Sequence, residues 1–173
     1  MAEDLPAPLR AEEKIRDRWS PDETAIAQLM NLLYAVISFE EGDEPDWQGL
    51  KTVFSSHARI TRITPEGTDH LDPSSFLAMT QNLVDIGAYT SFYEFEVKRT
   101  VEHFGDIAQV WSFYETRRNQ KAREPLGRGV NSIQLIRENA AWRVLGLLWD
   151  ETHADSYIGF RNAPAGDHGH VED

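Results

Sequence analysis

Near residue 90 the apolar residues of this chain stop recurring at helical spacing and begin to alternate, and few single domains accommodate that switch. Before it, Ile26, Leu29, Met30, Leu33, Val36 and Ile37 form one helical stripe, and Phe76, Met79, Thr80, Leu83 and Val84 form another. After it, Tyr93, Phe95, Val97, Arg99 and Val101 alternate with Glu94, Glu96, Lys98, Thr100 and Glu102. Helices first and strands later predict an α+β domain whose sheet is covered on one face. The start signals are local. Ser20-Pro21-Asp22-Glu23 is a capping box with proline at the first helical position. Asp46 caps a short second helix through Leu50, Val53 and Phe54, and Asp72-Pro73 opens a third. A first strand is expected around Ala58 to Thr64. Gly105-Asp106 is a two-residue turn of the kind that joins right-twisted strands. It sets Val101 against Val110, Arg99 against Ser112 and Glu94 against Arg117. Asn139-Ala140 is a second such turn, setting Gln134 against Leu145, Ser132 against Leu147 and Val130 against Trp149. The expected organisation is a flexible arm over 1–20, one domain over 21–153 and a disordered polar tail over 154–173.

At 173 residues the chain can hold a core without staples, and it contains no cysteine. Thiol nucleophiles, disulfides and thiolate metal sites are excluded, which fits a reducing, cytoplasmic setting. The acidic, proline-broken first residues are no signal peptide, and no apolar run approaches the ~20 residues that span a bilayer. The balance of 29 acidic against 17 basic residues gives a net charge of -12, which repels nucleic acid and anionic membranes. Arg117, Arg118, Lys121, Arg123 and Arg128 form a local exception, read as a solvated loop, with an anion site as the alternative. The last strands carry Leu145, Leu147 and Trp149 on one face and Val144 and Leu148 on the other. One helical layer cannot cover both faces, so the outer one predicts a homodimer.

Several strings in this order resemble the nuclear transport factor 2-like superfamily, and within it the polyketide cyclase-like (SnoaL-like) branch. They are Phe54-Ser55-Ser56-His57-Ala58-Arg59-Ile60, Gly105-Asp106-Ile107-Ala108-Gln109-Val110, Arg128-Gly129-Val130-Asn131-Ser132-Ile133-Gln134-Leu135 and Trp142-Arg143-Val144, with Trp149 closing the final strand. The resemblance implies a cone-shaped fold in which three N-terminal helices pack on a strongly curved antiparallel sheet. It also implies an interior for small apolar or aromatic molecules, and dimers. It does not choose among isomerases, dehydratases, cyclases, epoxide hydrolases and non-catalytic members, because one scaffold serves them all.

The position matching the aspartate base of the superfamily's steroid isomerases is Arg62, which cannot abstract a proton at neutral pH. Their oxyanion-stabilising acid matches Gln134, an amide that donates but cannot titrate, and their helical tyrosine falls one position from Tyr34. Asp150 alternates away from Trp149. Glu40, Glu94 and Glu96 become candidate bases only if the face assignments fail. The expected pocket is therefore Tyr34, Arg62, Gln134, Trp149 and a residue from the strand after Gly105-Asp106. On that strand Val110, Ser112 and Tyr114 share one face and Trp111 and Phe113 the other, so Tyr114 and Trp111 both stand as candidates. No metal set converges: Asp150, His153 and Asp155 straddle a strand end, and His57, His70 and His103 are isolated. No cofactor is expected. Two functions stay open: a small-molecule binding domain, with or without isomerase, dehydratase or cyclase activity, and a non-catalytic homodimeric module with a filled cone. A cavity of ~300 Å3 or more separates them.

Overall fold

The computed structural model describes residues 20–43, 45–150 and 153. The expected N-terminal arm and polar tail lie outside the described residues, apart from Ser20. The chain order is α1 (Pro21–Ile37), α2 (Trp47–Val53), β1 (Phe54–Thr64), β2 (Gly67–Leu71), α3 (Pro73–Asp85), β3 (Tyr93–Phe104), β4 (Ile107–Arg117), β5 (Gly127–Glu138) and β6 (Ala141–Asp150). The sheet runs β2-β1-β6-β5-β4-β3. It is curved and unclosed, and it is mixed: β1 and β6 pair in parallel, while the other neighbours are antiparallel. No helix among the described residues is long and apolar enough to cross a membrane.

Each helix starts where a side chain satisfies an otherwise orphaned amide. The Glu23 amide donates to Ser20 Oγ at 3.1 Å and the Ser20 amide to Glu23 Oε2 at 2.5 Å, completing the capping box. Asp46 and Asp72 accept from the Gly49 and Ser75 amides at 2.8 and 2.7 Å. The first helix stops at Ile37 rather than running toward Gly42, because Phe39 leaves it to pair with Phe92. Its buried face is the expected stripe with Tyr34 added and Ile37 only partly covered. Against it lie Ile60, Val110, Ile133, Leu135 and Val144, all essentially inaccessible. The third helix differs: it buries no residue fully and touches the core only through Phe76 and Leu77. It packs on β1 and β2 at one edge of the sheet without sealing the rest.

Two β-bulges govern which side chains face inward. The β3–β4 hairpin keeps the expected pairs Val101–Val110 and Arg99–Ser112 around a turn in which Gly105 takes φ +56°. Its register then slips between Glu96 and Lys98, so Glu94 opposes Thr116 rather than Arg117. Glu94 and Glu96 therefore share the inner face with Arg99 and Val101, reversing the alternation read from the sequence. The second slip lies in β5–β6. Leu135 pairs with Val144 but Gln134 with Gly146, leaving Leu145 as the extra residue. Leu147 and Trp149 keep the inner face and are joined there by Val144. Gln134 moves to the outer face, where it is exposed beside Gly146.

Candidate functional site

Between α3 and the sheet lies a cavity of about 630 Å3. It exists because α3 leans on the domain through Phe76, which contacts Phe54 and Trp149 edge-on at centroid distances of 6.5 and 6.3 Å. Behind that aromatic column, Leu33 of α1, Leu50 of α2 and Met79 and Leu83 of α3 form apolar walls. Tyr89 and Phe92 close one side, and Pro125 and Leu126 of the loop after β4 form part of the rim. That loop is held in place: the Leu126 amide donates to the Thr116 carbonyl at 2.7 Å and the Gln120 amide to Glu40 Oε1 at 3.0 Å.

The polar groups that reach the cavity are few. Arg62, Glu94, Tyr114, Thr116 and Asn131 come from the inner face of the sheet, Thr80 from α3 and Arg128 from the rim. Glu94 is an inward carboxylate, the kind of group the alternation seemed to forbid, and the β3 bulge delivers it. Arg62 and Trp149 are paired neighbours on β1 and β6 and line the cavity together. Tyr114 lies over Gly129, its partner on β5. A Cβ there would sit 2.2 Å from the phenol oxygen, so glycine is what lets the ring lie flat against the wall.

Behind the wall runs a buried hydrogen-bond chain. Asn131, 5% exposed, donates from Nδ2 to the Tyr34 hydroxyl at 3.1 Å, and that hydroxyl meets Ser112 Oγ at 2.6 Å. Ser112 in turn donates to Glu96 Oε1, and Glu96 Oε2 is ion-paired with Arg99 Nε at 2.7 Å. Arg99 also reaches Asn31 Oδ1 at 3.1 Å near the surface. Burial, reinforced by the negative charge of Glu94, pushes the Tyr34 phenol well above its ordinary pKa, so it keeps its proton.

Of the six residues expected at the site, the structure brings Arg62, Tyr114 and Trp149 to the cavity. Tyr34 sits one layer behind, touching the cavity only through Asn131. Gln134 and Trp111 are corrected: both stand on the outer face. Gln134 is there because β6 gains a residue at Leu145, and Trp111 because β4 turns Val110, Ser112 and Tyr114 inward. Of the basic cluster, Arg117 and Arg128 both pair with Glu115, at 3.1 and 2.9 Å, and Arg117 also stacks over Phe95 at 4.5 Å. Asp150 pairs with His153 at 3.0 Å, and among the described residues no three acidic or histidine side chains converge on a metal position. Sequence reasoning passed over Asn131 as a site residue. The available signal was an amide inside the apolar run Val130 to Leu135, next to a residue expected in the core.

No protein-family model and no curated protein matches the chain. Solved structures do. A protein of cystatin-like fold from Nostoc punctiforme superposes with a TM-score of 0.60 at 13% identity, covering 75% of this chain and 90% of its own. A nuclear transport factor 2-like protein from Silicibacter pomeroyi gives 0.52 at 16% identity, covering 82% and 98%. A protein from Novosphingobium aromaticivorans, provisionally assigned as a scytalone dehydratase, gives 0.56 at 14% identity, covering 74% and 82%. At such identities the likeness concerns architecture alone, and it agrees with the helices and the mixed curved sheet. The chain has the nuclear transport factor 2-like fold.

Proposed function

We propose that the chain binds a small, predominantly apolar molecule in the cavity between α3 and the sheet, as a SnoaL-like variant of this fold. One observation carries the reading: a hollow of about 630 Å3 with aromatic and aliphatic walls and a handful of converging polar groups. A volume twice the ~300 Å3 that a small ligand needs argues against a filled, non-catalytic cone. Arg62, Tyr114 and Trp149 are the expected contacts from the sheet. The inward Glu94 supplies a carboxylate of the type that an isomerase, dehydratase or cyclase uses to move a proton. Arg62, which lines the same cavity, is suited to hold an oxygen of the substrate. The test is a thermal-shift screen with planar aromatic and terpenoid-like compounds. Binding in the cavity predicts a rise in melting temperature that Trp149→Ala abolishes. A screen in which no such compound stabilises the wild type sinks the reading.

A second reading concerns assembly. Val97, Trp111 and Leu148 on the outer face are each between 43 and 48% exposed, and Ser132 lies between the last two on β5. Covering them by a second copy explains exposed apolar side chains on a sheet face that no helix among the described residues reaches. Light scattering at micromolar concentration should give twice the chain mass, and Trp111→Lys should halve it. A monomeric wild type removes this reading and leaves the first intact.

A further inference from the structure

The buried chain behind the cavity wall has only one possible direction. The Glu96 carboxylate accepts and cannot donate, and Arg99 on its other oxygen holds it in that role. Ser112 must therefore spend its single proton on Glu96. The contact between Tyr34 and Ser112 then requires Tyr34 to be the donor. With its proton so used, the Tyr34 oxygen can only accept, and Asn131 has to offer it an N–H. The amide nitrogen of Asn131 is thus turned to the protein. Its carbonyl oxygen has no hydrogen-bond partner among the described residues, and Asn131 both lines the cavity and is nineteen-twentieths buried. That oxygen is reachable from the cavity rather than sealed in the core, so a ligand that covers it without offering a donor displaces its water and leaves it unpaired, and a ligand that supplies a donor there is selected.

We infer that the cavity takes an apolar molecule bearing a hydroxyl or N–H donor directed at Asn131 Oδ1, and that Glu96, which never touches the ligand, is the positioning residue that sets this preference. This deepens the reading that the cavity binds a small apolar molecule and rests on it. The substitution Glu96→Gln makes the role visible. Arg99 demands an oxygen on its side, so the glutamine presents its amide nitrogen to Ser112. Ser112 then donates to Tyr34, Tyr34 donates to Asn131, and the Asn131 amide turns over to show N–H groups to the cavity. A purely structural role for Glu96 weakens all ligands alike. Reversal of the chain changes the ratio between donor and acceptor ligands.

The probes are 2-naphthol, which carries the donor, and 2-methoxynaphthalene, which has the same ring system and can only accept. Their dissociation constants are measured by calorimetry on the full chain. The wild type is expected to prefer 2-naphthol by about tenfold. Glu96→Gln is expected to bring the ratio to about one by strengthening the methoxy compound. Ser112→Ala, which cuts the same chain one link on, frees the Tyr34 proton and must also collapse the ratio. It serves alone if the glutamine variant does not fold. A tenfold ratio that persists in either folded variant overturns the inference and leaves the binding reading standing, as does a wild type that binds both probes equally. A wild type that binds neither probe overturns the binding reading and the inference with it.

Discussion

Replacing Gly129 by alanine puts the geometry of the cavity wall to a quantitative test. The new Cβ would stand 2.2 Å from the Tyr114 oxygen and 2.3 Å from the carbon bearing it, far inside contact distance. Both backbones belong to paired strands, so the ring must move, and the open side is the cavity. Overpacking of this kind costs about 1–3 kcal/mol. In a chain of this length that corresponds to a melting temperature lower by about 2–12 °C. The sign should reverse once the obstacle is gone. In a Tyr114→Ala background, Gly129→Ala meets no ring and only stiffens a strand, gaining roughly 0.5–1 kcal/mol. Denaturant unfolding of the wild type, both single variants and the double variant closes the cycle, and calorimetry with 2-naphthol reports whether the displaced ring fills the site. The reasoning is refuted if Gly129→Ala is harmless in the wild type, or if it costs the same in both backgrounds.

Three further outcomes are expected. Ala140 holds φ +63° in the β5–β6 turn, where a side chain is strained, so Ala140→Gly should raise stability by roughly 0.5–1 kcal/mol in denaturant unfolding. The Tyr34 pKa is raised on folding, so its contribution is complete below pH ~10, the unfolded value, and is lost as pH rises through the folded one. Unfolding curves above pH ~10 should therefore fall more steeply for the wild type than for Tyr34→Phe, and equal slopes contradict this. Ser20→Ala removes the capping acceptor of α1 and should cost about 1 kcal/mol, read as a lower urea midpoint with an unchanged slope.

What was legible in the sequence follows from how local each signal is. The caps at Ser20, Asp46 and Asp72 and the turns at Gly105-Asp106 and Asn139-Ala140 act within a few residues and stand where they were read. The parallel pairing of β1 with β6 joins segments far apart in the chain and leaves no local trace. The edge strand β2, with Thr68, Asp69 and His70 all exposed, has no apolar alternation to announce it. The bulges at Val97 and Leu145 mattered most. Each inserts one residue without any compositional mark, and beyond it every side chain changes face. Gln134 was thereby placed inside and Glu94 outside, each the reverse of its position. Trp149 and Leu147 stayed on one face together because both lie past the β6 bulge, two residues apart.

Isotope-filtered NOEs between bound 2-naphthol and the protein probe the cavity between α3 and the sheet without intermediaries. Cross-peaks from the naphthol ring to Trp149, Phe76 and Met79 are the predicted result. Cross-peaks confined to Trp111, Leu148 and Val97 would locate the compound on the outer sheet face and contradict the account.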